Sequence, residues 1–143
     1  MIARCKAKFP DNDWPVADMR RLDFKRRFDG ILAWDSFFHL TRADQRRMFT
    51  VFAAHARHGA WLMFNTGPAD GEAIGAFQGE PLYHASLAAD EYQALLQQSD
   101  FRGIRHIVED PECGGRTVWL AENFLRLLSH ASLLCGGAKS RQA

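Results

Sequence analysis

Cysteine is scarce in this chain of 143 residues: Cys5, Cys113 and Cys135 are widely separated, odd in number and form no CxxC pair. That spacing excludes a disulfide framework, offers no zinc-ligand pattern, and suits a reducing, cytoplasmic compartment. Charge bias is lacking too. Eighteen basic side chains against 17 acidic ones leave a formal net charge of +1, so nothing marks the chain for nucleic acid. The clusters Arg20-Arg21, Lys25-Arg26-Arg27 and Arg46-Arg47 are interleaved with acids and read as solvated faces. No apolar run approaches the ~18 residues of a membrane span, and the first residues show no signal-peptide pattern. Internal repeats, a Walker loop, an HExxH motif, a nucleophile elbow and a Ser/His/Asp triad are all absent. Their absence removes the usual nucleotide-hydrolysing, metalloprotease and serine-hydrolase chemistries.

What is present is an ordinary globular composition, 47% hydrophobic and 24% charged, in a length that predicts one domain with a real core. The stretch that organises it is Phe28 to Leu40. Ile31-Leu32-Ala33-Trp34 is apolar without alternation, which predicts a strand buried on both faces, as in a helix-covered parallel sheet. Asp35, Ser36 and His39 follow at its carboxyl end, the edge at which open α/β sheets bind ligands.

Before it, Ile2, Cys5 and Phe9 at helical spacing predict the end of an amphipathic helix, closed by Pro10. Trp14 to Ala17 reads as a short strand with Pro15 at an edge, and Asp18 at its carboxyl end. After it, Thr41 and Asp44 resemble a capping box for a helix carrying Met48, Val51, Phe52 and Ala56, with Gly59 as its C′ residue. Ala60 to Phe64 is a second unbroken strand, ended by Asn65-Thr66-Gly67-Pro68. Residues 69–85 are glycine-rich and read as a long irregular lid or binding loop. Ser86 then reads as the cap of a helix bearing Leu87, Tyr92, Leu95 and Leu96. Ile104 to Val108 and Thr117 to Ala121 are joined by a turn too short for a parallel crossover, so they form an antiparallel hairpin. Asn123 to Leu134 has the pattern of a further helix, and the remaining tail that of a flexible end.

Three stretches in this order, Val16-Ala17-Asp18-Met19-Arg20, Phe28 to Leu40 and Gly59 to Phe64, resemble the class I S-adenosylmethionine-dependent methyltransferases, as does the closing hairpin. The segment Gly79 to Leu87 is similar to the substrate-side loop of a small-molecule branch. The resemblance covers roughly residues 1–121. It implies an α/β fold, a partial Rossmann-like sheet of parallel strands with a C-terminal antiparallel hairpin, with residues 122–143 as a separate helix and tail. The family's first strand, its GxGxG loop and the acid that ends its second strand have no counterpart here, because Gly71 to Gly75 comes too late in the order. The chain therefore aligns with the C-terminal two-thirds of such an enzyme. Missing central strands would leave exposed sheet edges, and homo-oligomers are expected through them.

The resemblance implies S-adenosylmethionine as cofactor and a small-molecule methyl acceptor as partner, with no nucleic acid, membrane or metal. It places Asp18 on the adenine amino group and Met19 on the adenine face; the plain alternatives are a helix cap and a core residue. Trp34, Asp35 and Ser36 would line the donor's methionine end, Asp35 as an electronegative rim; alternatively Asp35 caps the turn before Thr41. His39 is either a hydrogen-bonded histidine at a helix start or a general base, for which its unperturbed pKa is suited. Asn65, Tyr83 and His84 would meet the acceptor; a turn residue and a packing residue are the alternatives for Asn65 and Tyr83. The alternative, which the missing glycine loop raises, is a non-catalytic methyltransferase-fold remnant or interaction module.

Overall fold

The two unbroken apolar runs become neighbouring strands of a four-stranded sheet. In the computed structural model, which describes residues 2–124, the elements are α1 (Ile2–Lys8), β1 (Phe28–Ala33), α2 (Arg42–His55), β2 (Ala56–Thr66), β3 (Gly71–Phe77), β4 (Glu80–Ser86), α3 (Ala89–Gln98), β5 (Phe101–Asp110) and β6 (Arg116–Asn123). The sheet order is β1-β2-β6-β5. β1 and β2 are parallel, with Ile31 opposite Leu62 and Ala33 opposite Phe64. β6 runs antiparallel to β2 and to β5, as expected for the closing hairpin.

One face of this sheet carries the core. Leu62 and Phe64 of β2 and Trp119 and Ala121 of β6 are buried with Met48, Phe49 and Phe52 of α2 and Tyr92 and Leu96 of α3. Phe37, fully buried just after β1, sits among Phe49, Phe64 and Tyr92, with ring centroids 5.2 to 6.2 Å away. Each such side chain contributes about 1.5–3 kcal/mol by leaving water.

Thr41 caps α2 as expected, its Oγ1 accepting from the Asp44 N–H at 3.2 Å, but the reciprocal half of the capping box differs: Asp44 Oδ2 accepts from the Thr41 hydroxyl at 3.0 Å. Other expectations are corrected. Residues 14–17 form no strand, and Val16 is 86% exposed. With no partner strand at hand, the segment folds back on α1, and Trp14 Nε1 donates to the Phe9 carbonyl at 2.9 Å. α1 is a helix but buries none of its residues. β1 is an edge strand buried mainly on one face, so Leu32 is 66% exposed and Trp34 lies outside it.

α2 ends at His55, and Ala56 and Gly59 belong to β2. Gly59 does use positive φ (+77°), but in a bulge where pairing jumps from Phe28–Ala56 to Gly30–Trp61. The glycine-rich stretch is ordered for most of its length as the hairpin β3–β4, turned by Gln78 and Gly79 at φ +53° and +87°. β3 is exposed at every residue and so carries no alternation to read, while the turn chemistry suits a two-residue hairpin. Ser86 ends β4 instead of capping α3, whose N-cap is Ala88; its Oγ accepts from the Gly67 N–H at 2.7 Å. The helix expected over Asn123 to Leu134 lies, beyond β6 and Phe124, outside the described residues.

Candidate functional site

Parallel β1 and β2 end side by side, and their exits carry Asp35 and Asn65. Asp35 takes a left-handed backbone at φ +47°, which an aspartate tolerates better than most side chains. Asn65, fully buried, holds it there: Asn65 Oδ1 accepts from the Asp35 N–H, and Nδ2 donates to Asp35 Oδ1, both at 2.8 Å. From the start of β6, Arg116 closes on the same carboxylate, Nε to Oδ1 and Nη2 to Oδ2 at 2.7 Å each. This pairing with Arg116 holds the Asp35 carboxyl below the usual range; partial burial opposes the shift and Asn65 adds to it.

The kink at Asp35 feeds a 3₁₀ turn, Phe37–His39, that sends Phe37 into the core and His39 toward a cavity. His39 Nδ1 lies 3.0 Å from the Tyr83 carbonyl on β4. A carbonyl only accepts, so Nδ1 carries the hydrogen and Nε2 of the neutral ring keeps its lone pair. His84 is the next residue on β4, its ring 4.8 Å from that of His39, with Phe38 against both at 4.5 and 5.2 Å. His84 Nε2 is buried without a hydrogen-bond partner.

The cavity these groups line measures about 730 Å³, and Phe77 and Leu82 of the β3–β4 hairpin form its apolar wall. The floor is tied by a buried network. Gln45 of α2 donates to the carbonyls of Leu40 and Ala85 at 3.0 and 2.9 Å and accepts from the Tyr92 hydroxyl at 2.6 Å. On the other side of the loop, along the free edge of β1, runs an apolar groove of about 410 Å³ lined by Met19, Leu22, Ile31, Leu32, Ser36 and Met48.

The residues singled out in the sequence therefore divide. His39, Asn65 and His84 meet in the cavity with Asp35, while Met19 and Ser36 line the groove. Met19 also packs on the core. Asp18 is the N-cap of the turn Met19–Arg21 and is bidentate with Arg20, which holds its carboxyl at about 2. Trp34 lines neither space; the Arg116 guanidinium lies over its ring at 5.8 Å.

Three roles need correction. Asp35 is not a bare electronegative rim, because Arg116 and Asn65 occupy both oxygens, nor does it cap the following turn. Asn65 is a fully buried brace for Asp35, to which one of its two N–H donors and one lone pair are committed, rather than a free acceptor-binding group. Tyr83 contributes its backbone carbonyl; its side chain points away from the cavity toward Glu72, where burial first and the Glu72 charge second push its hydroxyl up. Arg116 and Gln45 were not singled out in the sequence. Arg116 stands 81 positions from Asp35, a separation with no sequence signal. Gln45 in an apolar helix stripe is the one clue that was legible.

The arrangement of strands is that of the class I S-adenosylmethionine-dependent methyltransferase fold. No family model matches the chain, and no curated protein matches it. Solved structures do. A methyltransferase of this kind from Clostridium acetobutylicum superposes with a TM-score of 0.66 at 10% identity, over 85% of this chain and 69% of that one. CalS10, an amino pentose methyltransferase from Micromonospora echinaspora, gives 0.66 at 14% identity with the same coverage. The 1,6-didemethyltoxoflavin-N1-methyltransferase of Burkholderia thailandensis gives 0.57 at 19% identity, over 76% of this chain and 49% of that one. Among the described residues no helix is long and apolar enough to cross a membrane, and no cluster of metal-ligating side chains occurs.

Proposed function

We propose that the chain transfers a methyl group from S-adenosylmethionine to a small molecule bound in the cavity. The observation that carries this is His39: its tautomer is fixed by the Tyr83 carbonyl, so a proton-accepting Nε2 belongs to a ring lining a cavity at the strand ends. The fold's relatives supply the donor; their names describe methyltransferases of an amino pentose and of a didemethyltoxoflavin.

The residues fit one side of that donor. The groove beside β1 offers an apolar wall at Met19 and Ile31 and a hydroxyl at Ser36, and these would hold it next to the Asp35 kink. The donor supplies an electrophilic methyl on a sulfonium. The protein's own task is alignment and exclusion of water. His39 Nε2 takes the proton of the acceptor's N–H or O–H as the new bond forms. The resulting imidazolium is held by the Tyr83 carbonyl and lies close enough to Asp35 for the two charges to interact. Replacing His39 by Ala should lower kcat about 10²–10⁴-fold.

A second reading, a chain that keeps the fold without the reaction, has one observation in its favour: the Asp18 carboxylate is closed on Arg20. Calorimetry with S-adenosylhomocysteine separates the two. Saturable binding supports the methyltransferase, and no heat at millimolar ligand leaves only the second reading. From the same open edge of β1 we also infer that copies of the chain associate.

A further inference from the structure

We propose that Arg116 makes the cavity selective for acceptors bearing an oxyanion, a carboxylate or a phosphate, over acceptors bearing an ammonium group. The inference rests on the cavity being the acceptor site of the methyl transfer. A guanidinium carries five N–H donors in one rigid plane. Arg116 uses three of them: Nε and one Nη2 hydrogen on Asp35, each at 2.7 Å, and one Nη1 hydrogen on the Cys113 carbonyl at 3.1 Å. One hydrogen remains on each Nη. Asp35 occupies the Nε–Nη2 side of the fork, so these two, one on Nη2 and one on Nη1, are left for a second planar or tetrahedral oxyanion. The side chain is 38% exposed and lines the cavity.

The surroundings hold the fork and set its charge. Gly114, at φ +66°, leaves room for it: a Cβ there would stand 2.8 Å from Nη1. Among the described residues Asp35 is the sole acid lining the cavity, and Arg116 already matches its charge. His39 and His84 can add positive charge and never negative. An ammonium entering here finds no free carboxylate, whereas an oxyanion finds two unused N–H groups. The opposite wall of Phe77 and Leu82 suits an apolar body between the anion and the group to be methylated.

The test is calorimetry on the full chain with four probes of one shape: benzoate, phenyl phosphate, benzamide and benzylamine. Benzoate or phenyl phosphate should bind about tenfold more tightly than benzamide, and benzylamine more weakly still. The ranking of the two anions identifies which oxyanion the fork prefers. Arg116→Lys, which keeps the charge on Asp35 but loses the fork, should erase the benzoate–benzamide difference. Circular dichroism on that variant checks folding, and the wild-type comparison stands without it. Equal affinity for benzoate and benzamide, tighter benzylamine, or no binding of any probe at millimolar concentration overturns the proposal. S-adenosylhomocysteine titrated into the same samples keeps the two ideas apart. Nucleoside binding without anion preference defeats the selectivity alone; anion preference without nucleoside binding upholds it and defeats methyl transfer.

Discussion

The two sides of the loop Trp34 to Phe38 are built on different principles. The cavity side is tied by internal pairs, Asn65 and Arg116 on Asp35 and Gln45 on Tyr92 and backbone, with His84 Nε2 and two Arg116 N–H groups left over, and Phe37 anchors the loop in the core. The groove side is open and apolar, with Leu32 66% exposed on a strand that has a neighbour on only one edge. Paired polar groups in a low-dielectric site hold their geometry, so the Asp35 kink and the Gln45 floor do not depend on anything else docking. The groove has no such closure. Substitutions on the two sides should therefore differ sharply in what they change.

Phe37→Ala should have the largest effect. It empties a fully buried site among Phe49, Phe52, Phe64 and Tyr92, and about 3–5 kcal/mol of unfolding free energy should be lost. Leu32→Ala, a few residues away on the groove side, should cost less than about 1 kcal/mol, because most of that side chain is already in water. Urea titrations of both variants measure this directly. Comparable losses would show that the groove is packed in solution and would end the contrast.

Tyr92 gives the next effect, and it is read by pH. Burial pushes its hydroxyl up to about 12, against about 10 for an unfolded tyrosine. The raised folded value means that this stability is fully present below pH ~10 and is lost as pH rises toward 12. The drop should be about 2–3 kcal/mol across that window. Tyr92→Phe should remove this component of the slope. It should also lower stability at neutral pH by about 1–3 kcal/mol, because the Gln45 Oε1 and the Leu87 N–H lose their partner. An unchanged alkaline slope in the variant would show that Tyr92 is not held neutral by its surroundings.

Legibility in the sequence followed the same division. Unbroken apolar runs marked β1 and β2, a capping box marked α2, and a turn too short for a crossover marked the hairpin β5–β6, because each signal is local. His39 and Asn65 were legible because polar groups at strand ends converge in this topology, and His84 through its place in a long glycine-rich stretch; all three line the cavity. What escaped was non-local. The Asp35–Arg116 pair joins the first strand to the last. It decides that Asp35 is neutralised, which no reading of the loop alone could show. Residues 14–17 carry strand-like composition, but a strand exists only where a partner does, and here they have none. The β3–β4 hairpin escaped because β3 is exposed along its whole length and carries no alternation, and Gly71, Gly75 and Gly79 read as loop residues.

A smaller effect is expected from the acid side of the cavity. The Asp35 carboxyl is depressed by Arg116, so its contribution is present above the ordinary carboxylate value and is lost as pH falls through the lower, folded one. The side chain is 41% exposed, so solvent screening keeps this contribution small. Arg116→Gln should flatten the acid limb of the stability profile below pH ~4 and leave the alkaline limb of Tyr92 untouched. Loss of both limbs together would mean that the two networks act as one.

The smallest effect on stability should be the most informative about association. The two edges of the sheet differ as the two sides of the loop do. The β5 edge bears exposed Arg102 and Arg105 and is broken by register shifts at Gly103–Arg105 and Ile107–Asp110, the devices by which proteins keep an edge unpaired. β1 has neither along Ile31 to Ala33; its irregularity lies earlier, at Phe28–Gly30, and it runs beside the apolar groove. Leu32→Lys places a charge on that edge at a position already exposed in the monomer, so unfolding free energy measured at a dilution where both chains are monomeric should move by no more than about 0.5 kcal/mol. Light scattering should nonetheless show the wild-type chain as an oligomer and the variant shifted to monomer. An equivalent charge at Ile104, exposed on β5, should leave the distribution as it was. If instead both variants dissociate the oligomer, or if the wild type is monomeric to begin with, the β1 edge does not mediate association and the groove is simply tolerant of water.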